Sequence, residues 1–364
     1  MRCNEIFKIY GTEYKRMTKE LLECAGLEEL IPAGDVLIGI KPNLVAPTPA
    51  AFGATTHPEV VAGIIEYLQE HGFLNVVMLE GSWVGDRTSE SVEICGYGDL
   101  AAKYGVRFID TQKDTARKVD AKGLELEICE SALAVDFLIN VPVLKGHCQT
   151  KVTCALKNMK GLIPNREKRH FHAMGLHEPI AHLSAGLHQD FIVVDQICGD
   201  PDCEDGGNPA VTNCVMAALD PVLCDAYGAS LLDYRVEEIP YIGMAEKLQV
   251  GSADLTQLTV RTIGETMEET DSEMKRRHLV EVKDLVEEVE SCSACYAYLV
   301  PALLQLQEEG MLDRLQEKIS IGQGFRGKKG RLGIGNCTKN FAQYVPGCPP
   351  TEEDIYHFLK ELIV

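Results

Sequence analysis

The sequence predicts an α/β protein: a largely parallel sheet flanked by helices, followed by a small C-terminal α/β domain that carries a cysteine cluster. Three observations predict this. Short β-rich runs alternate with amphipathic stretches over about the first 260 residues, the rhythm of strand–helix–strand units. Polar residues stand just past the ends of those runs, where open parallel sheets bind ligands. Beyond Gly264 the texture turns acidic, and a second, shorter alternation with four patterned cysteines follows.

Taken in order, strands are expected at Val36–Ile40, Asn75–Leu79, Val106–Asp110, Phe137–Val141 and Phe191–Val194. Pro58–His71 and Ser91–Tyr104 read as helices between them, and Asp220–Leu232 as another, with Pro221 in its first turn, where a missing N–H costs nothing. These elements make up an α/β domain over 1–263. Residues 264–290, rich in Asp and Glu, read as a boundary segment with a solvated surface. A domain over 291–364 follows, with a helix (Ala297–Lys318), a β-like run (Ile319–Gly322), a Gly/Lys-rich loop, a second run (Leu332–Ile334) and a final helix (Thr351–Leu362).

Composition narrows the function. The chain has 364 residues, of which 45% are apolar and 25% charged, with 35 Lys+Arg against 55 Asp+Glu and a net charge of −20. This is globular composition. Its acidity argues against general binding to nucleic acid or to an anionic membrane. No run of about 18 apolar residues is present, so no membrane span is expected. The opening MRCNEIFKIYGTEYKRM lacks the apolar segment of a signal peptide. A cytoplasmic location is therefore expected, with the fourteen cysteines serving as thiols or metal ligands rather than disulfides.

Four cysteines form a pattern. Cys292 and Cys295 make a C-x-x-C pair, Cys337 closes a Gly-Asn-Cys triplet, and Cys348 stands between Gly347 and Pro349. A C-x-x-C pair sets two sulfurs on one tight turn, and glycine lets the backbone approach a metal centre closely. Four thiolates suit a [4Fe-4S] cluster or, alternatively, a structural Zn; only one half of this set is a knuckle of the zinc kind. Cys-Pro also ends bacterial ferredoxin ligand runs.

Residues 145–172 carry seven cations (Lys145, Lys151, Lys157, Lys160, Arg166, Lys168, Arg169) against one acid, Glu167, with His147, His170 and His172 among them. Such a block in an acidic chain points to an anion site. If the strands are parallel, Lys41, Asn43, Glu80, Ser82, Lys145, His147 and Asp195 converge on one crevice. Lys41, Asn43, Ser82, Lys145, Lys151, Lys157 and Asn158 are the candidate ligand-binding residues. Asp195, Glu80 and His147 are the candidate acid/base groups. The acidic loop Gly199–Ala210 reads as turn-rich.

The cysteine pattern, ending in VPGCPP (Val345–Pro350), resembles the proximal-cluster motif of nickel–iron hydrogenase small subunits, and the resemblance implies a [4Fe-4S] cluster. The blocks KPNLV (41–45), EGS (80–82), VPVLKGHCQTKVTCALKNMKG (141–161), IVVDQICG (192–199), GGNPA (206–210) and ALDPVLCDAYGASLL (218–232) are together similar to the iron–sulfur-associated family called domain of unknown function 362. That resemblance implies an α/β domain coupled to an iron–sulfur centre, found mainly in anaerobes. Many members carry an eight-cysteine insert that this chain lacks. The expectation is an iron–sulfur redox protein, an oxidoreductase or electron-transfer protein acting on an anionic small molecule or cofactor, with a redox partner protein. The alternative is a non-redox lyase or isomerase, or a maturation protein, with a structural four-cysteine site.

Overall fold

A computed structural model describes residues 1–264, 285–289, 291 and 293–363. Its contacts divide the chain into a first unit, Met1–Gly146 with Val152–Lys275, and a second, His147–Lys151 with Arg276–Val364.

In chain order, the first unit's strands are β1 (Glu5–Tyr10), β2 (Ile38–Pro42), β3 (Val76–Glu80), β4 (Arg107–Asp110), β5 (Ala116–Ala121), β6 (Leu124–Cys129) and β7 (Phe137–Val141). A short ribbon of β8 (Lys145–His147) and β9 (Lys151–Thr153) follows, then β10 (Phe191–Gly199), β11 (Ala210–Ala218) and β12 (Thr259–Ile263). Eight of these form one sheet in the order β12-β1-β11-β10-β7-β2-β3-β4. β11 runs antiparallel to both its neighbours, β1 and β10, and the other pairs are parallel. The fold class is thus α/β with a large, mostly parallel sheet.

Period-two alternation places this sheet between two apolar layers. Ile6, Val77, Leu79, Leu138, Ile192 and Met216 enter one core. Their neighbours Phe7, Val76, Met78, Phe137, Ile139, Val193 and Val215 enter the other. Both faces are covered by apolar side chains, as parallel strands require. Helix Pro58–Glu70 crosses from β2 to β3 and buries Val60, Val61, Ile64, Ile65 and Leu68, a helical spacing that keeps one stripe inward. Its Gly63 allows close packing, because a Cβ there would lie 2.7 Å from the Lys15 carbonyl oxygen of helix Tyr14–Ala25.

Several expectations shift. Phe137–Val141 is a strand with those bounds, and β2, β3 and β4 begin one or two residues later than the apolar runs suggest. Ser91–Tyr104 is two helices, Thr88–Ile94 and Tyr97–Tyr104, because Gly96 takes φ 77 between them. β10 continues to Gly199, past the expected end at Val194. Asp220 caps helix Pro221–Leu231 by accepting from the Val222 and Leu223 N–H groups.

The second unit holds a four-stranded parallel sheet of β13 (Val286–Glu288), β14 (Ile319–Ile321), β15 (Leu332–Ile334) and β16 (Gln343–Val345). Helices Ser293–Glu308 and Glu352–Ile363 bring Leu299, Leu303, Leu306, Ile355 and Leu359 into one core with Ile319, Ile321, Leu332, Ile334 and Val345. The first helix ends ahead of the expected Lys318, and Gly310 follows with φ 67. β13 lies inside the stretch read as a boundary segment; residues 265–284 of that stretch lie outside the described residues. Among the described residues, no helix is long and apolar enough to cross a membrane.

Candidate functional site

The carboxyl ends of β2 and β3 meet in a buried polar network. Lys41 and Glu80, 1% and 3% exposed, form an ion pair. Lys41 Nζ also donates to the Pro42 carbonyl (2.8 Å) and to Asn158 Oδ1 (3.2 Å). Glu80 accepts from the Gly81 N–H (2.6 Å) and the Leu44 N–H (3.4 Å). Asn158 Nδ2 donates to Asn140 Oδ1 (2.7 Å), and Asn140 Nδ2 donates to Gln189 Oε1 (2.6 Å). Gly161 is what lets this close: a Cβ there would stand 1.9 Å from Glu80 Oε1 and 2.6 Å from Lys41 Nζ. Burial pulls the Lys41 ammonium below its ordinary range, and Glu80 opposes that pull.

Lys41, Glu80 and Asn158, expected at one crevice, come together and bond to one another. Asn43 holds a turn, its Oδ1 accepting from the Val45 N–H (3.2 Å) and its carbonyl from the Thr56 N–H (2.9 Å). Ser82 Oγ donates to the Leu44 carbonyl (2.6 Å) and lies 2.9 Å from Ser91 Oγ. Lys168, unremarked within the basic block, donates to the Gly81 and Ser82 carbonyls at 2.8 Å each. Burial brings it down to about 8.

A second cluster gathers several cations. Lys145 is 1% exposed and donates to the Ala54 and Glu204 carbonyls. Burial, reinforced by the Lys157 charge, brings it down to about 7. Lys160 is pushed well below its ordinary value by burial, then by Lys157 and Lys168. His172 falls to about 3 through burial, then Lys160 and Lys157, and its Nδ1 is enclosed with no hydrogen-bond partner among the described residues. Asp205 rises to about 6 because it is buried and lies near Glu204. Lys145, Lys157, Lys160 and His172 therefore share one electropositive region bordered by Glu204 and Asp205. Lys157 also donates to Thr153 Oγ1 (3.2 Å). Chemically, the region can hold an anion, and Lys145 can exchange a proton near neutral pH.

Asp195 sits on β10 and is 1% exposed. Its Oδ2 accepts from the His57 backbone N–H (2.7 Å) and pairs with His57 Nδ1 (2.8 Å), and its Oδ1 accepts from the Ile197 N–H (3.0 Å). His57 went unnoticed in the sequence; the signal was its position directly before Pro58 at a helix start. His147 and Lys151 are grouped with the second unit. His147 Nδ1 accepts from the Gln149 and Thr150 N–H groups (3.0 and 3.1 Å), so that nitrogen closes a turn. Lys151 has left-handed backbone, φ 66.

In the second unit, Cys295 is buried, Cys337 half-buried and Cys348 exposed, all as thiols rather than disulfides; Cys292 lies outside the described residues. Gly335 and Gly347 take φ 84 and 140. The Asn336 N–H donates to the Gly347 carbonyl (2.8 Å), and the Gly347 N–H donates to Asn336 Oδ1 (3.0 Å), tying together the turns that carry Cys337 and Cys348. A Cβ on Gly335 would lie 3.1 Å from Cys295 Sγ and 3.6 Å from the Gly347 oxygen. Cys295 Sγ thus lies near the Gly335 turn that precedes Cys337.

Cys154, Cys224 and Asp225 make another compact group, their ligand atoms within 4.8 Å of one another and fully buried. Asp225 accepts from the Leu156 N–H (3.3 Å) and the Tyr241 hydroxyl (3.1 Å). Burial raises its carboxyl to about 7, above the unfolded value of about 3.9. The folded state then holds a proton that the unfolded chain has lost, so this group's contribution to stability falls as pH rises from about 4 to 7 and is level above that. Asp225→Asn should remove that decline. Urea unfolding of both proteins at pH 5 and pH 8 checks it: the variant should gain relative to the parent at pH 8, and an unchanged difference would refute the assignment.

The mostly parallel sheet with its crossover helices defines the first unit as an α/β fold. The chain belongs to the family described as domain of unknown function (DUF362), which it matches over residues 38–230. A thylakoid-associated protein of Synechocystis sp. is 25% identical over 251 residues, covering 65% of this chain and 76% of that protein. Among solved structures, the lactate racemase apoprotein of Thermoanaerobacterium thermosaccharolyticum is 15% identical with a TM-score of 0.42, over 64% of this chain and 57% of its own. A Thermotoga maritima protein is 13% identical with a TM-score of 0.38, over 70% of this chain and 62% of its own.

Proposed function

We propose that this protein is a cytoplasmic iron–sulfur redox protein whose α/β unit binds an anionic small molecule. The observation that carries the redox half is Cys295 Sγ lying near the Gly335 turn before Cys337, a turn hydrogen-bonded to the one that bears Cys348. Cys292, Cys295, Cys337 and Cys348 would hold the cluster. A bound [4Fe-4S] cluster supplies electrons one at a time. The anion would be held by Lys145, Lys157 and Lys160, whose crowded charges favour a negative partner. Lys145, near 7, and Asp205, near 6, would move protons there. A redox partner protein would complete electron flow.

Anaerobic purification with iron, zinc and sulfide analysis tests the first half. About four iron and four sulfide per chain are expected, falling sharply in Cys348→Ala. One zinc without sulfide would overturn the redox reading and leave a structural staple. Calorimetry with inorganic phosphate tests the second half. Lys157→Ala should weaken binding roughly tenfold or more, the scale of one charge-assisted hydrogen bond; unchanged affinity would remove the basic region from the site.

A further inference from the structure

Cys198, His57 and Asp195 stand in line. Cys198 Sγ is 3.6 Å from His57 Nε2, and the opposite ring nitrogen, Nδ1, is 2.8 Å from Asp195 Oδ2. This is nucleophile, base and orienter in sequence. The imidazole cannot turn away easily. His57 is the N-cap of helix Pro58–Glu70, and its backbone N–H bonds to the same carboxylate oxygen that holds the ring. The Ile197 N–H fixes the other oxygen. Tyr14 meets the ring edge-on, with centroids 5.5 Å apart. With Nδ1–H donated to Asp195, a protonated ring aims Nε2–H at the sulfur. We propose that these three residues form a nucleophilic thiol site that reacts with small peroxides.

Cys198 is 6% exposed, and its thiol donates to the Ala50 carbonyl at 3.3 Å. In the reaction, the Cys198 thiolate attacks one peroxide oxygen. An S–O bond forms and the O–O bond breaks. The departing hydroxide takes the Nε2 proton of His57 and leaves as water. Sulfur is oxidised by two electrons to sulfenic acid, and the peroxide is reduced by two. The charges facing this pair are Asp195 on β10, Tyr14 from helix Tyr14–Ala25, and Glu59 in the first turn of helix Pro58–Glu70. Burial disfavours a charged His57, but the Asp195 carboxylate outweighs it and raises the ring to about 11. The imidazolium is thus present throughout the neutral range, with its Nε2 3.6 Å from the sulfur.

The test uses the full-length protein, purified without oxygen. Each cysteine is pulsed with iodoacetamide at pH 6, 7 and 8 and read by peptide mass spectrometry. A thiol titrating near 8.5 speeds up about 70-fold across that range. Exposed Cys3 is the internal reference. Cys198 should change less than threefold, and dimedone should trap its sulfenic acid after hydrogen peroxide. His57→Asn keeps a good N-cap residue and should restore a steep pH profile. A Cys198 rate that climbs in parallel with Cys3, or no reaction in the native protein, would overturn the proposal from the parent protein alone.

Discussion

Lys41→Met should destabilise the first unit by about 3–5 kcal/mol, the cost of leaving one member of a buried ion pair alone. Glu80 would remain in a site that is 3% exposed, with the Leu44 and Gly81 N–H groups left to bond its oxygens. Adding Glu80→Gln should recover much of the loss. The amide oxygen still accepts from the Gly81 N–H, and the change removes the buried unpaired charge, at the loss of the longer bond from the Leu44 N–H. The single tryptophan, Trp83, follows Ser82 directly, so its fluorescence in urea reports this unit. A cost below about 1 kcal/mol would mean that the pair is solvated and behaves like a surface bridge.

Gly161→Ala should be at least as damaging, for a steric reason. An added methyl would lie 1.9 Å from Glu80 Oε1. The carboxylate cannot swing away, because both its oxygens are bonded. Either the pair breaks or the segment after Asn158 moves off the sheet, and Thr111, whose hydroxyl donates to the Gly161 carbonyl (2.6 Å), moves with it. The expected outcome is a lowered urea midpoint or failure to accumulate folded protein. A variant as stable as the parent would show that this segment has room the structure does not give it.

The parallel half of the sheet was legible because its strands are continuous apolar runs, the signature of burial on both faces. Helix Pro58–Glu70 and the cap at Asp220 were legible through proline and aspartate chemistry. β1 was not: Lys8 sits at its centre, yet it is buried, its ammonium 5.1 Å from the Tyr10 ring centroid and 5.5 Å from that of Tyr227. β11 was hidden because the chain before it looked like a loose acidic loop. Lys41 and Glu80 stand at the carboxyl ends of β2 and β3, while Asp195 lies inside the longer β10, and no spacing reveals that Lys41 and Glu80, 39 positions apart, pair with each other. His57 and Cys198, distant in sequence and individually ordinary, could be joined only by the fold.

The position of β1 in the sheet also shapes how this chain is made. β1 lies between β11 and β12, so its nearer partner leaves the ribosome about 200 residues later. At about 5–20 residues per second, that leaves EIFKIY without either sheet neighbour for roughly 10–40 s. Long-range pairing of this kind slows folding, and an unpaired strand is a template for self-association. Recombinant yield should therefore respond to growth temperature and chaperone supply more than the stability of the finished fold would suggest.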